Sequence, residues 1–136
     1  MNMEEVKKLM IDVGWGSFAT TDGERADVRP MGGWAWFGSE LWCATGASTA
    51  KVDQINKVPH GAYCFGTQEG KHVRIDGACT ISDDNEDKRK LFDTNPALKN
   101  HIPDPADPEY VVIRMKPERI RLMNTTDMTY TDIAPE

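Results

Sequence analysis

Residues 15–45 read WGSFATTDGERADVRPMGGWAWFGSELWCAT, and the pattern of this stretch decides the fold. Four short runs rich in aromatic and β-branched residues are separated by DGE, GG and GSE. Such spacers are typical of tight turns between antiparallel strands. The stretch therefore predicts a four-strand antiparallel meander from Trp15 to Thr45.

The segment before the meander predicts a helix. Residues 1–14 form this N-terminal segment, and its apolar residues recur at helical spacing over residues 3–13. Asn2 is suited to cap the first turn, and Gly14 is suited to end the helix.

Beyond the meander, helical and strand-like patterns follow one another. We predict a short helix over residues 49–57, strands over residues 60–67 and 71–82, and a helix capped by Asp83 or Asp84. The Pro- and Asp-rich residues 95–109 predict a helical turn followed by a loop.

The C-terminal part predicts one last hairpin. Residues 110–116 and 119–125 are strand-like, and Pro117–Glu118 is the expected turn, whereas residues 127–136 carry little pattern and predict a tail. About eight short strands with inserted helices, and neither repeats nor a linker, predict a single domain over residues 1–136. The expected fold class is mainly β, a small antiparallel β-barrel with peripheral helices.

Composition narrows the classes of function. The chain has 136 residues, a formal net charge of −6 and an isoelectric point near 5.0, which argues against a nucleic-acid binder. No apolar run approaches the roughly 20 residues that a membrane-spanning helix needs. The acidic, helical N-terminus is unlike a signal peptide, so we expect a cytoplasmic protein with no membrane or nucleic-acid partner.

Cysteines and histidines do not predict a metal site. Cys43, Cys64 and Cys79 are far apart in apolar or alternating runs, without a C-x-x-C motif, and are expected to be small buried side chains. The histidines lack the spacing of metal ligands, and we expect no metal.

The start of the helix over residues 49–57 is the first candidate site. Ser48 and Thr49 bring two hydroxyls to that start, and Lys51 follows within the first turn. A cation is mildly unfavourable there because the helix dipole favours an anion. Either Lys51 is an ordinary surface residue, or it belongs to a site that binds a phosphate together with the free N–H groups of the first turn. The spacing of a nucleoside-triphosphate loop is absent.

Arg29 is the second candidate. It shares a strand face with Met31, and Pro30 places this strand at a sheet edge or at a bulge. Gly32–Gly33 leaves the adjacent backbone without large side chains, which either serves an ordinary turn or lets a ligand approach closely. Trp34 and Trp36 share a face of the next strand, where they either pack in the core or at a dimer interface, or stack on a planar ring.

In this order, the motifs FATTDGERADVRPM, ELWCATGASTAKVDQINKVPHGAYCF and VRIDGACTISDD resemble those of the pyridoxamine 5′-phosphate oxidase-like flavoproteins. The chain is most similar to their short general stress protein branch, over roughly residues 4–124. The resemblance implies a split β-barrel that binds FMN, and a homodimer with the cofactor sites at the subunit interface.

The resemblance also assigns roles to residues. Arg29, Thr49 and Lys51 correspond to the phosphate-binding residues, with Ser48 beside them at the helix start. Thr45 falls where a strand end touches the cofactor, and the backbone of Pro30 and Met31 would line the edge of the flavin ring.

Two functions follow from the resemblance. One is an FMN-dependent oxidoreductase acting on a small organic acceptor, whose redox chemistry would have to come from the cofactor. The other is a non-catalytic flavin-binding, electron-carrier or stress-linked module, which is favoured by the lack of an assignable acid, base or substrate-binding arginine. A deazaflavin is an alternative cofactor, and the histidine pattern disfavours haem. True pyridoxamine 5′-phosphate oxidase activity is not expected, because the chain ends TYTDIAPE in place of the arginine-rich substrate motif of those enzymes.

Overall fold

A computed structural model describes residues 2–135 of the chain. Helix α1, Met3–Val13, begins at Asn2, whose side chain accepts a hydrogen bond from the Glu5 N–H, and ends at Gly14. The predicted N-terminal helix is therefore confirmed; Met1 lies outside the described residues. No helix among residues 2–135 is long and apolar enough to cross a membrane.

Within the described residues, eight strands and two further α-helices follow, together with a short 3-10 helix at Pro96–Asn100. The strands are β1 Gly16–Thr21, β2 Ala26–Met31, β3 Trp34–Phe37, β4 Glu40–Gly46, β5 His60–Gly66, β6 His72–Ser82, β7 Tyr110–Asn124 and β8 Thr129–Asp132. The helices are α2 Ala50–Lys57, which follows β4, and α3 Asn85–Thr94, which is capped by Asp84. The predicted mainly β fold with peripheral helices is confirmed.

The four-strand meander is the first expectation that the structure corrects. The sheet order is β2-β1-β5-β6-β7-β4-β3, with β8 beside β7, so β2 and β3 lie at the two ends of the sheet path. The stretch from Trp15 to Thr45 thus forms two separate hairpins. Gly32–Gly33 is a crossing between them and not a hairpin turn, with Gly33 at φ 66°.

The predicted C-terminal hairpin is also wrong. Strand β7 runs without a turn through Pro117 and pairs along its length with β6. Pro117 lies opposite Gly77, where the register shifts, and a Cβ on Gly77 would lie 2.1 Å from the carbonyl oxygen of Lys116. A proline that cannot donate to a ladder is accommodated at such an irregularity.

Residues 127–136 do not form the expected tail. Thr129–Asp132 is strand β8, which pairs with the C-terminal half of β7, and Ile133 is buried and donates its N–H to the Ile120 carbonyl. The N-terminal half of β7 pairs with β4. Strand β7 is therefore long enough to pair with both β4 and β8 on one side and with β6 on the other. Glu136 lies outside the described residues.

Two apolar clusters form the core. The larger fills the space between the sheet and α1, and includes Phe18, Tyr63 and Phe65. The smaller joins β4 and β7 to α3 and the 3-10 helix, with Trp42 and Leu98 among its members. Trp34 and Trp36 are half-buried against the larger cluster, and their indole N–H groups donate to the Gly14 carbonyl and the Met10 sulfur.

The cysteines divide between the core and the surface. Cys43 and Cys79 are buried, as expected, but Cys64 is exposed on β5. Strand β5 has alternating burial, and position 64 falls on its outward face.

Candidate functional site

Two cations meet where β2 approaches the start of α2. Lys51 is half-buried, and burial, followed by the nearby positive charge of Arg29, lowers the pKa of its ammonium. Within residues 2–135, no carboxylate lies at ion-pairing distance from either side chain. Two mutually repelling cations without a counter-ion are suited to receive an anion, because an anion would turn their repulsion into attraction.

Arg29 is held in place by neutral groups. Its Nη1 donates to the Thr20 hydroxyl at 2.7 Å and to the Phe18 carbonyl at 3.3 Å. The Thr20 hydroxyl in turn donates to the Gln54 amide oxygen, and the Gln54 amide nitrogen donates to Asp27 at 2.6 Å. This chain of hydrogen bonds ties β1, β2 and α2 together and leaves the charge of Arg29 uncompensated.

Lys51 reaches back over the turn that precedes α2. Its Nζ donates to the Thr45 hydroxyl at 2.9 Å. The helix itself is held in place by the side chains of Val52 and Ile55, which lie three residues apart on its inner face and are buried. The ammonium is therefore fixed beside the end of β4 and does not extend freely into solvent.

Ser48 and Thr49 point to different partners. The Ser48 hydroxyl donates to Glu109 at 2.6 Å, and its N–H donates to the same carboxylate at 3.2 Å. The Thr49 hydroxyl donates to the Gly46 carbonyl at 2.8 Å and makes no capping bond to the helix. The Glu109 carboxylate thus accepts hydrogen bonds from the Ser48 groups that the sequence predicts to bind a phosphate.

A large cavity opens next to this cation pair. Its volume is about 1020 Å³, at the upper end for small-molecule sites. Its wall is formed by the backbone from Pro30 to Gly33, by residues 44–46 of β4 and by the segment of residues 95–110. Gly33 lies so close to this segment that a Cβ there would contact Leu98 at 2.9 Å.

Thr45 joins the cavity to the cations. It lines the cavity and accepts the hydrogen bond from Lys51, whereas neither Lys51 nor Arg29 lines it. The site therefore combines a cationic end and a mostly apolar chamber, which fits a ligand with a phosphate at one end and a ring system at the other.

Three side-chain contacts hold the segment of residues 95–110 in place. The buried ammonium of Lys88 donates to the Asp107 carbonyl at 2.9 Å, and the Asn95 amide donates to the Trp34 carbonyl at 2.9 Å. The third is the contact between Ser48 and Glu109. These bonds hold a segment with little regular structure against the sheet.

Sequence reasoning and structure agree in part about the site residues. Arg29, Thr45 and Lys51 come together as expected, and Pro30 and Met31 line the cavity. Ser48 and Thr49 lie beside them with their hydroxyls engaged elsewhere. Their binding of a cofactor stays a prediction.

Three residues were missed: Thr20, Gln54 and Glu109. The first two belong to strand and helix patterns that predict only packing. Glu109 lies 61 residues from Ser48 in a loop-like stretch, and nothing in local spacing indicates that contact.

His60, Asp76 and Glu118 also come together, on β5, β6 and β7. Spacing in the sequence does not indicate this cluster. The buried Asp76 carboxylate is paired with Arg119 at 3.1 Å and lies 3.7 Å from Arg121. With guanidinium groups beside the carboxylate, the geometry is that of an ion-pair network.

Comparison with known proteins gives a family match over nearly the whole chain. A family model described as pyridoxamine 5′-phosphate oxidase like matches residues 1–131. General stress protein 26 of Bacillus subtilis is 28% identical over 140 residues, which cover 95% of this chain and 96% of that protein.

Solved structures share the fold. A Clostridium acetobutylicum protein related to general stress protein 26 matches 96% of this chain and 92% of its own, with a TM-score of 0.81 and 16% identity. A pyridoxamine 5′-phosphate oxidase-related, FMN-binding protein from Nostoc punctiforme matches 97% and 96%, with a TM-score of 0.65 and 15% identity. The split-barrel fold expected from the sequence is thereby confirmed.

Proposed function

Because the chain belongs to the pyridoxamine 5′-phosphate oxidase-like family, we propose that it binds FMN and acts as an FMN-dependent oxidoreductase on a small organic acceptor. The observation that carries the proposal is the position of Thr45, which lines the apolar cavity and also contacts the uncompensated ammonium of Lys51. A flavin mononucleotide has the matching shape, with one phosphate and one large ring. The similar Nostoc punctiforme protein is described as FMN binding.

The residues of the chain fit such a ligand. Arg29 and Lys51 would bind the phosphate, since each is a cation without a carboxylate partner among the described residues. The backbone of Pro30 and Met31 would lie along the ring edge, and Gly32–Gly33 leaves room beside it. Thr45 would stand between the phosphate and the ring.

When bound, the flavin would supply the electron transfer that none of these side chains can perform. The protein would bind and orient the ring, and the apolar wall would limit the access of water.

We also propose that the protein is a homodimer whose cofactor site lies at the subunit interface. Ile11 and Trp15 support this, because both line the rim of the cavity and are 70% and 57% exposed. Large apolar side chains at the mouth of a site are suited to a protein contact. A second subunit there would cover these side chains and enclose the cavity.

The test begins with the visible absorption spectrum of the purified protein, before and after adding FMN and removing the excess. A flavin band that remains with the protein, and is bleached by a reduced nicotinamide and restored by added quinone or nitroaromatic acceptors, is the expected result. A retained flavin that no donor reduces would leave a non-catalytic flavin module. A featureless spectrum after FMN addition would overturn FMN binding and direct the test to a deazaflavin.

A further inference from the structure

We propose that the cavity admits a neutral or cationic, mostly apolar planar compound as its second ligand, and that Glu109 is the residue that rejects anionic compounds. The inference rests on the proposed function, because this second ligand would share the cavity with the flavin ring. It goes further by naming the substrate class and a residue that sets specificity.

The lining favours an apolar compound. The cavity lining includes the apolar or aromatic side chains of Leu98, Ile102, Tyr110, Trp15 and Trp34. The polar side chain of Asn95 is already engaged, since its amide nitrogen donates to the Trp34 carbonyl and its oxygen accepts from the Ala97 N–H. A compound rich in hydrogen-bonding groups would find few free partners there.

The charges of the lining are acidic. Asp107 and Glu109 contribute carboxylates, whereas no lysine or arginine is found among the cavity residues in the described part of the chain. The remaining ionisable side chains are those of His101 and Tyr110. An anion placed in this chamber would face like charges, and a cation would face opposite ones.

Glu109 is held where it can act on a ligand. Its carboxylate accepts from the Ser48 hydroxyl at 2.6 Å, and its carbonyl accepts from the Ala47 N–H at 2.7 Å. A Cβ on Gly46 would lie only 2.7 Å from the carboxylate, so the group stands directly against the end of β4. The carboxylate cannot turn away without breaking its hydrogen bond to Ser48.

Lys51 and Glu109 contact successive residues of the same strand end. Thr45 accepts the hydrogen bond from Lys51, and the next residue, Gly46, faces the Glu109 carboxylate. A phosphate is therefore attracted by Lys51 and repelled by Glu109. This arrangement would fix the direction in which FMN lies and keep a second anion out of the chamber.

The test uses three probes of nearly equal size and shape that differ in charge: benzamide, benzamidine and benzoate. Each is titrated into the FMN-loaded protein and followed by tryptophan fluorescence, because Trp15 and Trp34 line the cavity. We expect benzoate to bind about tenfold more weakly than benzamide, with benzamidine at least as tight as benzamide.

Variants assign the effect to Glu109. Glu109→Gln keeps an oxygen that can accept a hydrogen bond from Ser48. We expect this variant to reduce the difference in binding affinity between benzoate and benzamide to about threefold or less. Asp104→Asn removes the same charge from the same segment at a residue that does not line the cavity, and should leave the difference unchanged. If Glu109→Gln does not fold, salt gives the second measurement, because 1 M NaCl should reduce the difference in the unmodified protein.

Benzoate binding as tight as benzamide, no binding of any probe at millimolar concentration, or an unchanged difference in folded Glu109→Gln would overturn the proposal. The flavin absorption band reports cofactor binding separately. If that band is lost while the probes still differ in binding affinity, FMN binding is contradicted and the charge selectivity of the cavity is supported.

Discussion

The ammonium of Lys51 donates to the hydroxyl of Thr45 at 2.9 Å, and this contact joins the first turn of α2 to the last residues of β4. A cation at a helix start is disfavoured by the dipole. The side chain contacts Thr45 at the cavity and experiences the positive charge of Arg29, so the proposed phosphate would offset both unfavourable effects.

The first prediction concerns this lysine. Lys51→Met keeps the length of the side chain and removes its charge, and should weaken FMN binding by roughly 1–3 kcal/mol, the range for losing a partner to a charged group. Isothermal titration with FMN gives the measurement. Lys57→Met, at the other end of α2, removes the same charge and should leave the affinity unchanged. Equal affinities in both variants would contradict a phosphate site at Lys51.

The second prediction tests the dimer. Ile11→Glu places a charge on an exposed apolar residue at the cavity rim, and should shift the protein from dimer to monomer by burying an unpaired charge in the interface. Sedimentation equilibrium measures the change. Met128→Glu, equally exposed in the turn before β8, should leave the assembly intact. An unmodified protein that is monomeric at all concentrations would end the shared-site hypothesis.

Local patterns in the sequence predict most of the elements but not how they pair. Helix α1, helix α2 and strand β6 follow from local patterns. The Gly32–Gly33 pair is typical of a hairpin turn because glycines favour turns. Strand β3 nevertheless lies at the far end of the sheet, because its position depends on how all the strands pair and not on the local sequence. Pro117 likewise looks like a turn, and its accommodation opposite Gly77 depends on a partner strand 40 residues away in the chain.

The residues of the candidate site likewise divide into those that the local sequence indicates and those that it does not. Arg29 and Lys51 could be found because each is a cation with a local context that singles it out, and Thr45 because its motif resembles that of the family. Glu109 could not, because its role comes from a contact with Ser48 across 61 residues. Residues that act through a long-range contact leave no local signal.

The third prediction follows from the close approach at the β6–β7 irregularity. Gly77→Ala would place a Cβ 2.1 Å from the Lys116 carbonyl oxygen and 2.8 Å from the Pro117 Cα, which are backbone atoms that cannot turn aside. We expect a loss of about 3 kcal/mol or more in the free energy of unfolding, at or above the upper range for overpacking. Urea denaturation measures it.

Gly66→Ala is the matched control, because its Cβ would meet the side chain of His72 at an ordinary 3.4 Å. This strand substitution should change the free energy of unfolding by less than about 1 kcal/mol. Similar losses in the two variants would show that β7 can shift away from Gly77.

The fourth prediction concerns the thiols. Burial raises the pKa of Cys43 to about 11 and that of Cys79 to about 12. It also raises the pKa of Cys64, but the Cys64 side chain is exposed to reagent. Because the thiolate is the reactive form and needs access, one thiol per chain should react with a chromogenic disulfide reagent in the folded protein, and three in denaturant. Cys64→Ser should reduce the count in the folded protein to zero. Even one reactive thiol in that folded variant would contradict the buried position of Cys43 or Cys79.

The last prediction is a dependence of stability on pH. Burial alone would raise the pKa of Glu40, but hydrogen bonds from Trp42 and Arg114, together with the charge of Arg114, outweigh it and hold this pKa below its ordinary value of 4.5. A carboxyl group whose pKa is lowered by folding stabilises the protein above its unfolded value, and this stability is lost as the pH falls through the folded value. Glu40→Gln should therefore be less stable than the unmodified protein at pH 7, and the difference should shrink below pH 4.5. Glu24→Gln, in the exposed turn between β1 and β2, should show no such difference. Urea unfolding at pH 7, 5 and 3.5 measures both, and a Glu40→Gln deficit that stays constant with pH would show that the carboxylate charge does not contribute.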